Sequence, residues 1–324
     1  MRAIIHRQYG PPSVLELGEV PRPTPGDEEV LVRVHAAAAR LADHHVVTGK
    51  PYLIRLTAFG GLPRPKNKVP GVAMAGRVEA VGKKVTGFRV GDEVFGEVGK
   101  GAFAEYVVAP AKLLALKPVN LTFEEAATVP WATAALQGLR DVGALKAGER
   151  VLIHGASGGV GTWAVQIAKA LGAHVTAVCS TRNVALVRSL GADAVIDYTN
   201  SDFTDGGARF DVMLDLVGNR SLSECRGVLA PGGRYVACSG QGNDWTGPIF
   251  RLLGGLVAFL FSGRAFKAVF AVCGQEALLT LKALVESGKA RPVIERSFGL
   301  SETSAALTHV GEGHSRGQIV IRIG

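Results

Sequence analysis

The run Gly155-Ala-Ser-Gly-Gly-Val-Gly161 carries the clearest chemistry in this chain, because it follows the apolar stretch Val151-Leu-Ile-His154 and precedes an apolar-periodic stretch from Thr162 to Leu171. In Ala156, Ser157, Gly158, Gly159, Val160 and Gly161 the spacing is that of G-x-G-x-x-G, with alanine in the first place. Gly158 lets backbone approach a pyrophosphate, Gly161 lets a helix pack closely on a strand, and the helix N-terminus turns N–H donors and the positive end of its dipole toward phosphates. Standing alone, such a run reads equally as a structural glycine turn. Set between a strand and a helix, with further strand and helix units behind it, it points to a dinucleotide. The next strand, Val175-Thr-Ala-Val-Cys179, ends at Ser180-Thr-Arg182, where an NAD site normally has Asp or Glu for the ribose 2′-hydroxyl. Ser180 and Arg182 suit a 2′-phosphate instead, so NADPH is the expected cofactor. The other reading is that Arg182 only opens an exposed helix.

The elements that must hold these residues alternate from residue 122 onward. Thr122 followed by Glu125 fits a capping box, and Ala126 to Leu145 reads as helical. Strands are expected at 174–178, 194–196, 210–214 and 234–238, with helices at 182–190 and 221–229. That order predicts right-handed βαβ units and a parallel sheet covered on both faces, an α/β doubly wound Rossmann domain. Before residue 121 the pattern differs: Val30-Leu-Val-Arg-Val34, Gly76 to Val81, Asp92 to Phe95 and Ala104 to Val108 are short β-like runs between Gly and Pro. They predict a β-rich, barrel-like first domain. Ala36 to Pro70 reads as a long irregular segment with a basic trio, Arg64, Lys66 and Lys68, either a functional loop or a solvated one. A helix over 303–312 and a strand over 318–323 return the end of the chain to the first domain.

Composition excludes several classes. With 324 residues, 47% hydrophobic and 20% charged, the chain is long enough for two domains and neither disordered nor fibrous. The charge balance is 36 − 28 = +8, spread along the chain rather than gathered in a block, so nucleic acid is not the expected partner. Leu252 to Phe261 is about half the ~20 residues of a bilayer-spanning helix, and nothing at the start resembles an export signal, so no membrane partner and a cytoplasmic protein are expected. The four cysteines, Cys179, Cys225, Cys238 and Cys273, form no CxxC pair.

Together these features resemble the medium-chain dehydrogenase/reductase superfamily, in its zinc-independent quinone oxidoreductase branch. The carriers are Tyr9-Gly-Pro-Pro-Ser-Val-Leu15, Pro70-Gly-Val-Ala-Met-Ala-Gly-Arg-Val-Glu-Ala-Val-Gly82, Phe88 to Gly96, Gly101-Ala-Phe-Ala-Glu-Tyr106, Gly155 to Thr162, Leu190 to Tyr198 and Asp215-Leu-Val-Gly218. The resemblance implies a GroES-like substrate domain (1–121), a Rossmann NADP-binding domain (122–288), a C-terminal return to the substrate domain (289–324) and a cleft between the domains. It also implies a homodimer formed largely through the Rossmann domains. Ser180, Arg182 and Tyr198 would surround the 2′-phosphate, with Thr133, Gly218, Gly240, Arg316 and Gly317 along the cofactor. Tyr198 reads equally as a half-buried aromatic at a strand end. No metal is expected: zinc-dependent relatives have an early Cys and a Gly-His-Glu, whereas here the first cysteine is Cys179 and the segment reads Gly71-Val-Ala73.

Without zinc, the natural chemistry is hydride transfer from the nicotinamide to an electron-poor carbon of a quinone or α,β-unsaturated carbonyl. Two departures qualify that expectation. Relatives carry Asn-Pro or Asn-Phe where this chain has Arg40-Leu41, and Val129-Pro-Trp-Ala-Thr-Ala-Ala135 displaces or loses a cofactor-touching threonine. Arg40 could bind a developing oxyanion or an acidic substrate, with His45 and Tyr52 as proton donors, or all three could serve packing or an exposed loop. Trp245 to Phe261 is apolar enough to cover a substrate cleft or a subunit interface, which favours a hydrophobic substrate. Two alternatives stand beside the reductase: a same-fold enzyme with a biosynthetic tailoring or cyclisation role, and a non-catalytic NADPH-binding or RNA-binding protein.

Overall fold

The computed structural model describes residues 1–57, 60–238, 244–245, 249–313 and 315–324. The chain divides into two compact units, one of Met1–Trp131, Cys273–Glu286 and Pro292–Gly324, the other of Ala132–Val272 and Ser287–Arg291. No helix among the described residues is long and apolar enough to cross a membrane.

The first unit opens with a two-stranded antiparallel ribbon, β1 (Arg2–Ile5) and β2 (Glu16–Glu19). Next come β3 (Glu29–Ala39), helix α1 (Leu41–Thr48), β4 (Ala73–Val81), β5 (Glu93–Glu97), β6 (Tyr106–Pro110), β7 (Leu114–Leu116) and helix α2 (Phe123–Thr128). Val30, Val32 and Val34 alternate along β3 and fill a core with Met74, Phe103 and Leu307, as a strand of period two requires. The expected irregular stretch from Ala36 is ordered over its first half. Residues 36–39 complete β3, α1 follows, and a 3-10 turn covers Tyr52–Leu56. The physical reason is a pair of end signals. The Asp43 carboxylate accepts the Arg40 N–H at 2.9 Å, and Gly49 closes α1 with φ +63°.

The second unit holds α3 (Ala132–Leu136), β8 (Arg150–His154), α4 (Gly159–Ala170), β9 (His174–Cys179), α5 (Val184–Ser189), β10 (Ala194–Asp197), β11 (Phe210–Asp215), α6 (Leu222–Gly227), β12 (Leu229–Ala237), α7 (Ile249–Phe259) and β13 (Ala265–Ala268). Among the described residues its sheet has six strands, all parallel, in the order β10-β9-β8-β11-β12-β13. Order reverses between β8 and β11, so the loops after these two strands flank the switch point of a doubly wound sheet, where ligands bind. The long helix expected over 126–145 is broken. α2 ends before Pro130, a 3-10 turn covers Val129–Trp131, and a π-turn covers Gln137–Val142. Pro130 lacks the N–H that a continuing helix needs.

The chain then returns to the first unit through α8 (Gln275–Glu286), β14 (Ile294–Gly299), α9 (Thr303–Gly311) and β15 (Gln318–Arg322). The first unit's main sheet runs β14-β15-β3-β4-β5-β7, with β6 also on β3. The first unit takes in α2 and α8 through two sets of bonds. Glu124 of α2 is bonded to Ser297 and Arg322, and α8 donates from Gln275 and Lys282 to the Leu114 and Leu116 carbonyls.

Candidate functional site

The loop between β8 and α4 is shaped by close approach. Gly155 turns the chain with φ +87°, and a Cβ there would lie 2.8 Å from Val217 Cγ2. The tight turn therefore rests on Gly155, one residue ahead of the alanine that holds the first place of the motif. A Cβ on Gly161 would be driven into the Gly155 carbonyl oxygen, so α4 can sit this close only with glycine there. Gly158, by contrast, has among the described residues only the Gly155 oxygen near its missing Cβ, at 3.7 Å. Helix α4 begins at Gly159, three residues earlier than expected, and Ser157, Gly158, Gly159 and Val160 are half-exposed at its N-terminus while Ala156 is buried. That is an accessible backbone cradle with a positive dipole end, the form an anionic diphosphate requires.

Asn183 ties this loop to the end of β9: its side-chain amide donates to Ser157 Oγ at 3.0 Å and Ser180 Oγ at 3.1 Å. Arg182 is exposed beside them, and Tyr198 is half exposed, its N–H donating to the Cys179 carbonyl. The chain thus brings Ser180, Arg182 and Tyr198 to neighbouring strand ends. Sequence reasoning missed Asn183, although its place directly after Arg182 was visible. An acid does stand nearby: Asp197, at the end of β10, accepts from Thr181, Thr199 and Asn200, and the Thr181 bond leads in holding its carboxyl below the ordinary range. Thr133 is fully buried in α3.

A buried cluster underlies the loop after β11. Asp215 has no exposure, and its Oδ1 accepts from His154 Nδ1 at 2.9 Å and from the N–H groups of Val217 (3.0 Å) and Gly218 (2.9 Å). Its Oδ2 accepts from the Tyr235 hydroxyl at 2.6 Å and from Arg251 at 3.3 Å. Burial pushes this carboxyl up, but the bond and charge of His154, then Tyr235 and the Gly218 N–H, outweigh it and hold Asp215 at about 2. Of these residues only Gly218 was singled out as a site residue from sequence, because polar side chains on four separate elements give no local pattern.

The first unit places the remaining candidates. Arg40 is hydrogen-bonded to Glu97 of β5, lies 3.4 Å from Asp43 and stands over the Trp131 ring at 5.9 Å. Burial works against its charge, yet Asp43 and Glu97 together keep the guanidinium above its ordinary value. Asp43 is itself raised, burial outweighing Arg40. Arg40 is therefore a counter-ion for two carboxylates, and Glu97, distant in sequence, is the partner that sequence reasoning missed. His45 is half-buried in the last turn of α1, with burial lowering its pKa. Tyr52 lies beneath Arg55, whose guanidinium stands 4.8 Å from its ring and 4.4 Å from that of Tyr9. Arg316 is exposed, its N–H bonded to Glu295, and Gly317 is buried against Val293. Gly240 lies outside the described residues.

Comparison with known proteins bears on this geometry. Residues 26–119 match an alcohol dehydrogenase GroES-like domain, and 190–321 match a family described as zinc-binding dehydrogenase. The chain is 34% identical to a 2-methylene-furan-3-one reductase of Solanum lycopersicum, over 99% of this chain and 79% of that one. It is 32% identical, with the same coverage, to a chloroplastic NADPH-dependent alkenal/one oxidoreductase of Arabidopsis thaliana. In three dimensions it superposes on the quinone oxidoreductase of Coxiella burnetii with a TM-score of 0.88 at 31% identity, covering 100% of this chain and 99% of the other. For a zinc ion the donor set does not fit: among the described residues no three His, Cys, Asp or Glu side chains are grouped to hold a metal. The half-exposed backbone of Ser157 to Val160 at the start of α4 suits the diphosphate of a dinucleotide.

Two outcomes follow from the charges. Asp215, held near 2 against an ordinary 3.8, contributes about 2 kcal/mol of stability above pH 4 that is lost as pH falls from about 4 to about 2. Urea unfolding across that range will show a smaller acid-dependent drop in Asp215→Asn than in the parent. Arg40→Met leaves two carboxylates without their counter-ion, and is expected to destabilise the protein by about 3 kcal/mol in the same measurement at pH 7.

Proposed function

The chain belongs to the medium-chain dehydrogenase/reductase superfamily, in its quinone oxidoreductase branch, and on that premise we propose that it uses NADPH to reduce a hydrophobic quinone or α,β-unsaturated carbonyl. The observation that carries this reading is the half-exposed N-terminus of α4 at the switch point, with Ser180 and Arg182 at the next strand end. When bound, the cofactor supplies the hydride from its nicotinamide ring. The glycine loop holds the diphosphate through backbone N–H groups, and Ser180, Arg182 and Tyr198 hold the 2′-phosphate, Arg182 by a charge-assisted bond. Ser157, fixed by Asn183, lines the same cradle.

Hydride addition to an electron-poor carbon leaves negative charge on the substrate oxygen, which hydrogen-bond donors or water stabilise. His45, kept neutral at pH 7 by burial, offers an N–H rather than a charged acid, and Tyr52 offers a hydroxyl. Arg40 acts at one remove: with Glu97 and Asp43 committed to it, it fixes the start of α1, which carries His45. The outer residues of α7, Phe250, Leu253, Leu256 and Val257, are all more than half exposed, and such a face suits pairing with a second copy of the chain.

Purified, chelator-treated protein is expected to oxidise NADPH in the presence of 1,4-benzoquinone or a cyclic enone. No oxidation with any acceptor of either class would sink the reductase reading. Arg182→Ala should raise the KM for NADPH about tenfold, the equivalent of one charge-assisted phosphate bond, and leave that for NADH within twofold. Light scattering should give the mass of a dimer, and Val257→Asp should shift it toward the monomer.

A further inference from the structure

Arg251 sits on α7 but directs its donors to β11, to β12 and to the loop that follows β11. Its Nη1 donates to the Arg220 carbonyl at 2.7 Å, and its Nη2 donates to the Tyr235 hydroxyl at 2.8 Å and to Asp215 Oδ2 at 3.3 Å. Asp215 in turn holds the N–H groups of Val217 and Gly218. The loop from Leu216 to Arg220 is thus gripped at its beginning through the Asp215 carboxylate and at its end through the Arg220 carbonyl. Leu216 and Val217 are the residues that face the missing Cβ of Gly155, so this loop forms one wall of the glycine turn.

Packing does not require a guanidinium here. Arg251 is only 14% exposed at its side chain, its Nε is buried with no partner among the described residues, and an apolar chain of similar volume would fill the space at a smaller desolvation penalty. What the planar fork adds is two fixed donor directions, one toward each end of the loop. We propose that Arg251 is a positioning residue for the nucleotide: from α7 it clamps both ends of Leu216–Arg220 against the glycine turn, so that the seating of α7 sets nucleotide affinity. This rests on nucleotide binding at the glycine loop.

The test is the dissociation constant for NADPH, read by fluorescence titration without substrate, beside the melting temperature of each protein. Arg251→Met should weaken NADPH binding about tenfold. Arg251→Lys, which keeps the charge beside Asp215 but loses the fork, should weaken it about threefold. Arg264→Met provides the contrast, since Arg264 also crosses this unit, bonding the Leu229 carbonyl, but does not touch the loop. It should lower the melting temperature and leave the NADPH affinity unchanged. Should Arg251→Met not fold, Arg251→Lys against Arg264→Met decides the matter. Arg251 variants that lose thermal stability yet bind NADPH within twofold of the parent overturn the positioning role and leave the reductase reading intact. A parent protein that binds neither NADPH nor NADH overturns both.

Discussion

A carboxylate wholly removed from water survives only where donors replace its hydration, and Asp215 is such a group. Its donors come from separate places in the chain: His154 at the end of β8, the backbone just beyond β11, Tyr235 in β12 and Arg251 in α7. Because each donor would be left unsatisfied if its element shifted, the carboxyl ends of three neighbouring strands and one helix are bound to a common point. That point lies directly beneath the switch in strand order. The parallel sheet could tolerate many loop conformations at these ends; the cluster selects one.

The glycine turn depends on that selection. Gly155 has no side chain because Leu216 and Val217 occupy the space, and Gly161 has none because the Gly155 carbonyl does. Two close approaches, one between loops and one between helix and loop, leave the N-terminus of α4 open at Gly158. The site is therefore a consequence of packing on two sides and, among the described residues, of open space on the third. Asn183 extends it by fixing Ser157 and Ser180 relative to each other, which carries the order of the glycine loop to the end of β9.

The first unit solves a different problem. The Arg40 side chain is largely buried, and an unpaired guanidinium in so enclosed a place would be costly. Glu97 and Asp43 neutralise it, and Asp43 also caps α1, so a charge introduced near the candidate proton donors becomes part of the scaffold that holds them. The same contacts explain why Ala36 to Thr48 is regular structure: its end signals are an aspartate three residues into the helix and a glycine after it, weaker in outline than a Ser or Thr cap.

Much of the nucleotide unit was legible from residues alone. The strand, glycine and helix order at Val151–Leu171 and the β-like runs of the first unit depend on period and local turn chemistry, which neighbouring residues encode. The positions of Ser180 and Arg182, one and three places past the end of β9, are local as well. The break at Pro130 was equally local, and was outweighed by the helix-forming residues around it. What residues near in sequence could not encode were meetings across long separations. Examples are Glu97 with Arg40, Arg251 with Asp215 and Arg220, and α8 with the carbonyls of β7. A buried charge states a need for a partner but not which partner, and only the three-dimensional fold, by bringing particular donors and carboxylates within reach, supplies the answer.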